Sequence, residues 1–169
     1  MGYLIHFDTI VIYWNGLKRY VFTMIDEYTK IAFARMYATK SSYNARDFFR
    51  RLNFLLDYQC VNCHQDNGFE FMKYFEEALK KENIKQYWSR PRTPKDNPSL
   101  ERFNQTIQRE WINNAHFTPE VDRFNQELFP WIIEYNFERP HQSLDYLTPI
   151  EFAIKYKQLS QMYSSQTKH

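Results

Sequence analysis

The chain has 169 residues, 43% hydrophobic and 25% charged, with a net charge of +2. That composition excludes a disordered chain and suits one globular domain with a sizeable core. The small net charge makes no case for a polyanion partner by itself, so any nucleic-acid surface must come from local clustering of cations. Aromatic residues reach 19% while glycine numbers only 3, which favours a sheet packed by aromatic helix faces. Two cysteines are too few for a disulfide framework. No apolar run approaches the length of a membrane span, and the N-terminus lacks a secretory pattern. The Met-Gly start invites a lipidation reading, but position 6 is His rather than Ser or Thr. These features point to a reducing, cytoplasmic setting without membrane attachment. The first strand begins almost at once, as expected of a core cut from something longer.

Tyr3 to Tyr13 reads as a first strand, with Ile5, Phe7, Val11 and Tyr13 on one face and Leu4, His6, Ile10 and Ile12 on the other. Both faces are apolar, the signature of a central strand. Asp8 interrupts it. A carboxylate there is costly unless it caps a neighbouring backbone group or meets a cation, and the run alone does not separate the two. Trp14-Asn15-Gly16-Leu17 is a hairpin turn, Lys18 to Ile25 the returning strand and Ile31 to Ala38 a third. Asp26 and Glu27 are expected to be turn residues between them.

Asn44 to Tyr58 has helical spacing, with Ala45, Phe48, Phe49, Leu52, Leu55 and Leu56 in one stripe and Asn44 or Ser42 as the cap. Arg46, Arg50 and Arg51 lie off it and are expected to be solvated. Cys60 to Gln65 is a short fourth strand. Reaching it through a helix implies a crossover, hence a strand parallel to the first. His64-Gln65-Asp66-Asn67-Gly68 places Asp66 at the strand end, ahead of a turn. A second helix is expected over Phe71 to Glu82 and a fifth strand over Ile84 to Trp88.

Residues 89–96 hold two prolines and the cations Arg90, Arg92 and Lys95, and form an exposed loop. Asn97-Pro98 opens a third helix with Leu100, Phe103, Ile107 and Trp111 as its apolar stripe. Glu101, Asn104, Gln105 and Gln108 share an adjacent polar face. Phe117 to Tyr135 is a fourth helix with an expected kink at Pro130. Arg139 to Ser143 is a loop, in which His141 either makes a surface contact or orders the chain. Thr148-Pro149 caps a last helix running to about Lys157. The expected division is a core over 1–158 and a flexible tail over 159–169.

One strand centre, one adjacent strand end and one helix start can converge at a sheet edge, bringing Asp8, Asp66 and Glu101 together. A like-charge pair at about 4 Å costs on the order of 4 kcal/mol at an effective dielectric of about 20, so such a cluster needs cations or raised pKa values. Oxygen ligands without His or Cys suit Mg²⁺ or Mn²⁺. Two such ions can activate an attacking oxygen and steady a leaving one.

Phe7-Asp8-Thr9, Gln65-Asp66-Asn67-Gly68 and Asn97-Pro98-Ser99-Leu100-Glu101-Arg102-Phe103-Asn104 together resemble the DDE catalytic core of retroviral integrases and bacterial insertion-sequence transposases. Asp66 and Glu101 stand 35 positions apart, within the spacing of such cores. Tyr135-Asn136-Phe137-Glu138-Arg139-Pro140-His141-Gln142-Ser143-Leu144, followed by Leu147-Thr148-Pro149, resembles the C-terminal signature of the bacterial branch. The resemblance runs from about Tyr3 to Tyr156. It implies an α/β, ribonuclease H-like fold, a five-stranded mixed sheet flanked by helices. It implies that Asp8, Asp66 and Glu101 hold two Mg²⁺ (or Mn²⁺) ions, for cleavage at transposon DNA ends and strand transfer of the 3′-hydroxyl into target DNA. By the same resemblance Asn104, Gln105 and Gln108 approach DNA, and Arg90, Arg92 and Lys95 meet phosphates, although a solvated loop serves as well for any one cation. A homo-oligomer, dimer or larger, and a bacterial, nucleoid-associated location follow as expectations. Recognition of element ends is expected from a helix-turn-helix region outside this stretch. Two alternatives remain: a ribonuclease H-like nuclease without strand transfer, and a catalytically inactive DNA-binding derivative.

Two other motifs carry less. Cys60-Val61-Asn62-Cys63-His64 matches a haem-attachment pattern, which would require export; two small apolar residues in a strand are the plainer account. His6, near Asp8, is either a support of the acidic site or a buried neutral side chain.

Overall fold

A computed structural model of the chain describes residues 2–57, 59–89, 97–113 and 117–166. Five strands, β1 (Ile5–Trp14), β2 (Leu17–Asp26), β3 (Ala32–Tyr37), β4 (Asn62–Gln65) and β5 (Lys85–Trp88), form one sheet in the order β3-β2-β1-β4-β5. The first three make an antiparallel meander, while β4 runs parallel to both β1 and β5. The β1–β2 hairpin closes through Asn15 (φ 44°) and Gly16 (φ 79°), the two positive φ angles that a tight hairpin turn requires. The crossover expected between β1 and β4 is made by α1 (Ser42–Leu55). The remaining helices are α2 (Tyr74–Lys81), α3 (Pro98–Ile107), α4 (Val121–Phe137) and α5 (Pro149–Gln166).

The sheet separates two cores. On one face Phe7 and Phe22 pack with Phe48 and Phe49 of α1 and Phe71 and Phe75, all at most 1% exposed. Phe7 meets Phe48 and Phe75 edge-on at centroid distances of 6.1 and 5.5 Å, a favoured aromatic geometry. On the other face Val21 and Ile25 pack under Leu100, Phe103 and Ile107 of α3 and Phe124 and Leu128 of α4. Each such side chain contributes about 1.5–3 kcal/mol by leaving water.

The exposed edge of β3 is covered by α4. Asn136 accepts from the Ala32 N–H at 2.9 Å and donates to the Ala32 carbonyl at 2.8 Å. Asn125, three helical turns earlier, does the same with Met36 at 2.8 and 3.0 Å. Two amides on one helix face thus stand in for the missing neighbouring strand.

Several boundaries differ from expectation. Ser41, rather than Asn44 or Ser42, caps α1, its hydroxyl accepting from the Asn44 N–H. Leu55 is 57% exposed while Leu56 is buried, because a 3.6-residue period carries the stripe through 45, 48, 52 and 56. Phe69–Phe71 is a 3₁₀ turn, and α2 starts only after Lys73, whose φ of 48° breaks the helix. Residues 108–112 form a π-helical turn on the end of α3, whose extra residue buries Ile112 while Trp111 packs against the same core from a half-buried position. The fourth helix begins at Val121 rather than Phe117, since Pro119 holds the residue before it extended. It continues through Pro130 as one helix. Thr148 and Glu151 form a reciprocal capping box at the start of α5, which extends to Gln166 rather than ending near Lys157. Among the described residues no helix is long and apolar enough to cross a membrane.

Candidate active site

The parallel ladder between β1 and β4 pairs Ile5 with Cys63, His6 with His64 and Phe7 with Gln65. The next residue on each strand is a carboxylate, Asp8 on β1 and Asp66 just past β4. Two acids therefore leave adjacent parallel strands at the same level.

Asp8 is half-buried and held by both oxygens. The Thr9 N–H donates to Oδ1 and the Asn104 side-chain amide to Oδ2, each at 2.7 Å. Burial raises its pKa above the ordinary carboxylate value. The Thr9 N–H opposes that shift, the charges of Asp66 and Glu70 add to it, and Lys40 opposes it. Asp66 is exposed, and its Oδ1 accepts from the Gly68 N–H at 3.1 Å, so its own turn orients it.

Glu70 is an acid that the motifs do not include. It is 2% exposed, accepts from the Thr9 hydroxyl at 2.9 Å and pairs with Lys40 at 2.9 Å. A Cβ on Gly68 would lie 2.5 Å from its Oε2, so any side chain there would have to push the Glu70 carboxylate from its place. Nothing local marks Glu70 in the sequence, because Lys40 reaches it from the far side of α1.

Glu101 is exposed in the first turn of α3, one turn before Asn104. Asn104, rather than Glu101, is the α3 side chain that touches Asp8. Among the described residues no three His, Cys, Asp or Glu side chains gather closely enough to hold one ion. The structure thus brings Asp8 and Asp66 together and leaves Glu101 on the adjoining helix turn. The donor chemistry of the pair fits a hard divalent cation, which would offset the cost of burying the Asp8 charge and the lesser repulsion from Asp66.

Of the expected DNA-facing residues, Arg90, Arg92 and Lys95 lie outside the described residues. Gln105 is exposed and Gln108 half-buried. Asn104 departs from that expectation: it is 7% exposed, turned inward to Asp8.

Glu27 is likewise no simple turn residue. It meets His6 at 3.3 Å and Lys30 at 3.1 Å, and the Lys30 ammonium also donates to the Ser99 hydroxyl at 2.8 Å. The His6 bond, with Lys30 and Ser99 aiding against burial, draws Glu27 down to about 2. His6, buried, faces His64 with Nδ1 atoms 3.0 Å apart. This chain of side chains ties β1 and β4 to the first turn of α3, two residues from Glu101. Asp26 is fully buried and accepts from the Gly2 N–H and the Thr29 hydroxyl. Cys60 and Cys63 are buried thiols with sulfurs 3.6 Å apart, in the core as the plainer account had it.

Comparison with known proteins bears on the family and the fold. A family model described as integrase core domain matches residues 1–94, and a second of the same description matches 82–149. The transposase of insertion sequence element IS904 from Lactococcus lactis is 35% identical over 91 residues, covering 53% of this chain and 36% of that protein. The putative integrase ORF3 of Spiroplasma virus SpV1-C74 is 29% identical over 154 residues, covering 80% of this chain and 42% of that protein. The chain thus spans about two-fifths of these relatives. Among solved structures, the HTLV-2 integrase catalytic core in complex with magnesium, in a trimeric form, superposes with a TM-score of 0.70 at 15% identity, covering 89% of this chain and 95% of that one. The BIV integrase catalytic core gives 0.70 at 16% identity, covering 95% and 99%. The fold is the ribonuclease H-like one of integrase cores.

Proposed function

The chain belongs to the integrase core domain family, and from that premise we propose that it is the catalytic core of a DDE-type transposase or integrase. It cuts DNA at the ends of a mobile element and joins the freed 3′-hydroxyl to target DNA. The observation that carries this reading is the side-by-side exit of Asp8 and Asp66 from the β1–β4 ladder, with the Glu101 helix tied to Asp8 through Asn104.

In this reading Asp8, Asp66 and Glu101 would hold two Mg²⁺ (or Mn²⁺) ions once Glu101 turns in from its exposed position on α3, a choice of metal supported by the magnesium complex of the HTLV-2 core. Bound there, the ions would supply Lewis acidity at the phosphate oxygens. Asp8, fixed by two hydrogen bonds, sets the orientation of the site. Asp66, exposed, faces the DNA strand. Glu101 completes the set from the first turn of α3. Water attacks the phosphodiester at the element end, the bond to the flanking nucleotide breaks, and a 3′-hydroxyl is freed. That hydroxyl attacks a target phosphodiester in line and releases a target 3′-hydroxyl, so both steps exchange one oxygen for another at phosphorus. Gln105, Gln108, Arg90, Arg92 and Lys95 position the DNA backbone. The protein works on the bacterial nucleoid as a dimer or larger assembly, in keeping with the trimeric and dimeric forms of the HTLV-2 core.

The test is a labelled element-end duplex incubated with the protein and Mg²⁺. Joined products support the proposal. Nicks alone favour a nuclease without strand transfer, and binding without cutting favours an inactive derivative. Cleavage that survives Asp66→Asn would overturn the site.

A further inference from the structure

A cleft of about 400 Å³ opens between α3 and the loop that follows α4. Arg102 and Thr106 line it from the helix, and Arg139, His141, Gln142 and Ser143 from the loop, with no carboxylate in its wall. Arg102 is exposed and follows Glu101 directly. Among the described residues Arg102 has no ion pair, whereas Arg139 is engaged by both oxygens of Glu110. The Thr106 hydroxyl donates back to the Arg102 carbonyl at 2.9 Å, which leaves donation into the cleft to the other side chains.

His141 is fixed at the base of the loop. Its N–H donates to the Leu147 carbonyl at 3.0 Å, its carbonyl accepts from Leu144 and Tyr146, and its ring meets Tyr135 edge-on at 5.0 Å. Its Nε2 is buried and has no hydrogen-bond partner among the described residues. The ring donates to the Tyr135 carbonyl through its other nitrogen, so in the neutral ring Nε2 is an acceptor and gives a phosphate oxygen no hydrogen bond. Burial first, with Arg139 and Lys30, holds the imidazole towards its neutral form against the Tyr135 hydrogen bond, so the positive charge of the cleft comes from its arginines and not from the ring.

We propose that this cleft binds a backbone phosphate of a nucleic-acid strand, with Arg102 supplying the charge and Gln142 and Ser143 the neutral donors, while His141 holds the loop in place. The site rests on the reading of the chain as a DNA-joining core. It gives the loop Arg139–Ser143 a function that folding alone does not require, since the His141 backbone bonds already hold that loop.

The experiment uses the full chain carrying Asp66→Asn, with a fluorescent duplex followed by anisotropy between 50 and 200 mM salt. Removing one cation from a phosphate lowers the slope of log affinity against log salt by about 0.9. Arg102→Gln is expected to lower the slope by about that amount and to weaken unrelated duplexes equally, while Arg102→Lys keeps most of it. Arg123→Gln, about 20 Å away along α4 by helical rise, is the control and leaves the slope in place. An unchanged slope in Arg102→Gln overturns the subsite, as does an equal fall in Arg123→Gln or a parent protein that binds no duplex. A parent without Asp66→Asn that joins no DNA ends with Mg²⁺, while Arg102→Gln still lowers the slope, overturns the transposase reading and leaves the phosphate site standing.

Discussion

The Asn104 amide donates to Asp8 Oδ2 at 2.7 Å, and this bond joins the central strand to the helix that carries Glu101. A hydrogen bond to a charged group is worth about 1.5–3 kcal/mol. Here its chief effect is to fix both the direction of Asp8 and the lean of α3. Asn104→Ala is expected to raise the Mg²⁺ concentration needed for half-maximal end cleavage roughly tenfold or more, the equivalent of about 1.4 kcal/mol. Thermal unfolding should shift by only a few degrees. A magnesium titration identical to that of the parent would remove Asn104 from the site.

Asp8 itself makes a prediction about stability. Its pKa is raised in the folded chain, chiefly by burial, so the folded state favours the protonated form. The stability it contributes is present below the ordinary carboxylate value and is lost as pH rises through the raised value. At neutral pH without divalent cations Asp8 is therefore a burden, and Asp8→Asn should melt higher than the parent in EDTA. Saturating Mg²⁺ should close that gap, since a ligand at about 100 times its Kd stabilises by about 2.7 kcal/mol. Calorimetry at pH 7 with and without Mg²⁺ reads both arms. A lower melting point for Asp8→Asn in EDTA would contradict the assignment.

Glu27 behaves in the opposite sense. Its pKa is drawn to about 2, first by His6. Its contribution is present above the ordinary value of 4.5 and is lost as pH falls from there towards about 2. Glu27→Gln should therefore destabilise the protein at pH 6 and match the parent near pH 2. The partial exposure of Glu27 keeps this effect modest. Urea midpoints at pH 6, 4 and 3 should converge with falling pH, and parallel midpoints would show that Glu27 is not the titrating partner.

Much of the site could be read from residue order alone, for physical reasons. Asp8 stood out because a carboxylate in a run apolar on both faces needs a partner. The crossover rule put Asp66 beside it, and Asn97-Pro98 announced the start of the Glu101 helix. Glu70 was not legible, because its partners Lys40 and Thr9 are distant in sequence and meet it only once the chain has folded. Asn104 was placed on the correct helix but assigned outward, since spacing gives a face and not what the face meets. The π-helical turn left no mark in the pattern either; Trp111 and Ile112 fit an inward position equally well in sequence.

The Gly68–Glu70 approach can be tested as a pair. A Cβ at Gly68 would stand 2.5 Å from the Glu70 carboxylate, and that carboxylate is fixed by Lys40 and Thr9. Gly68→Ala alone should cost about 1–3 kcal/mol, the usual penalty of overpacking. Glu70→Ala alone should also destabilise, by leaving the Thr9 hydroxyl without its acceptor. Combined, the two should cost less than their sum, with a coupling of about 0.5–3 kcal/mol. Strict additivity in denaturant unfolding would mean that the close approach does not exist in solution.

Asn136 belongs to the motif that resembles the bacterial C-terminal signature, yet its visible work is structural. It is 6% exposed and satisfies both the N–H and the carbonyl of Ala32 on the edge of β3. Asn136→Ala would leave both backbone groups buried without partners, at about 1–3 kcal/mol each. Asn136→Asp keeps the acceptor but loses the donor, so its stability should fall between those of the parent and Asn136→Ala, and weaken further as the carboxylate ionises. Hydrogen exchange should report the loss locally, with the Ala32 amide speeding up while the Met36 amide, held by Asn125, stays protected. If both amides accelerate together, α4 docks on the edge as one cooperative unit rather than through two separate clamps.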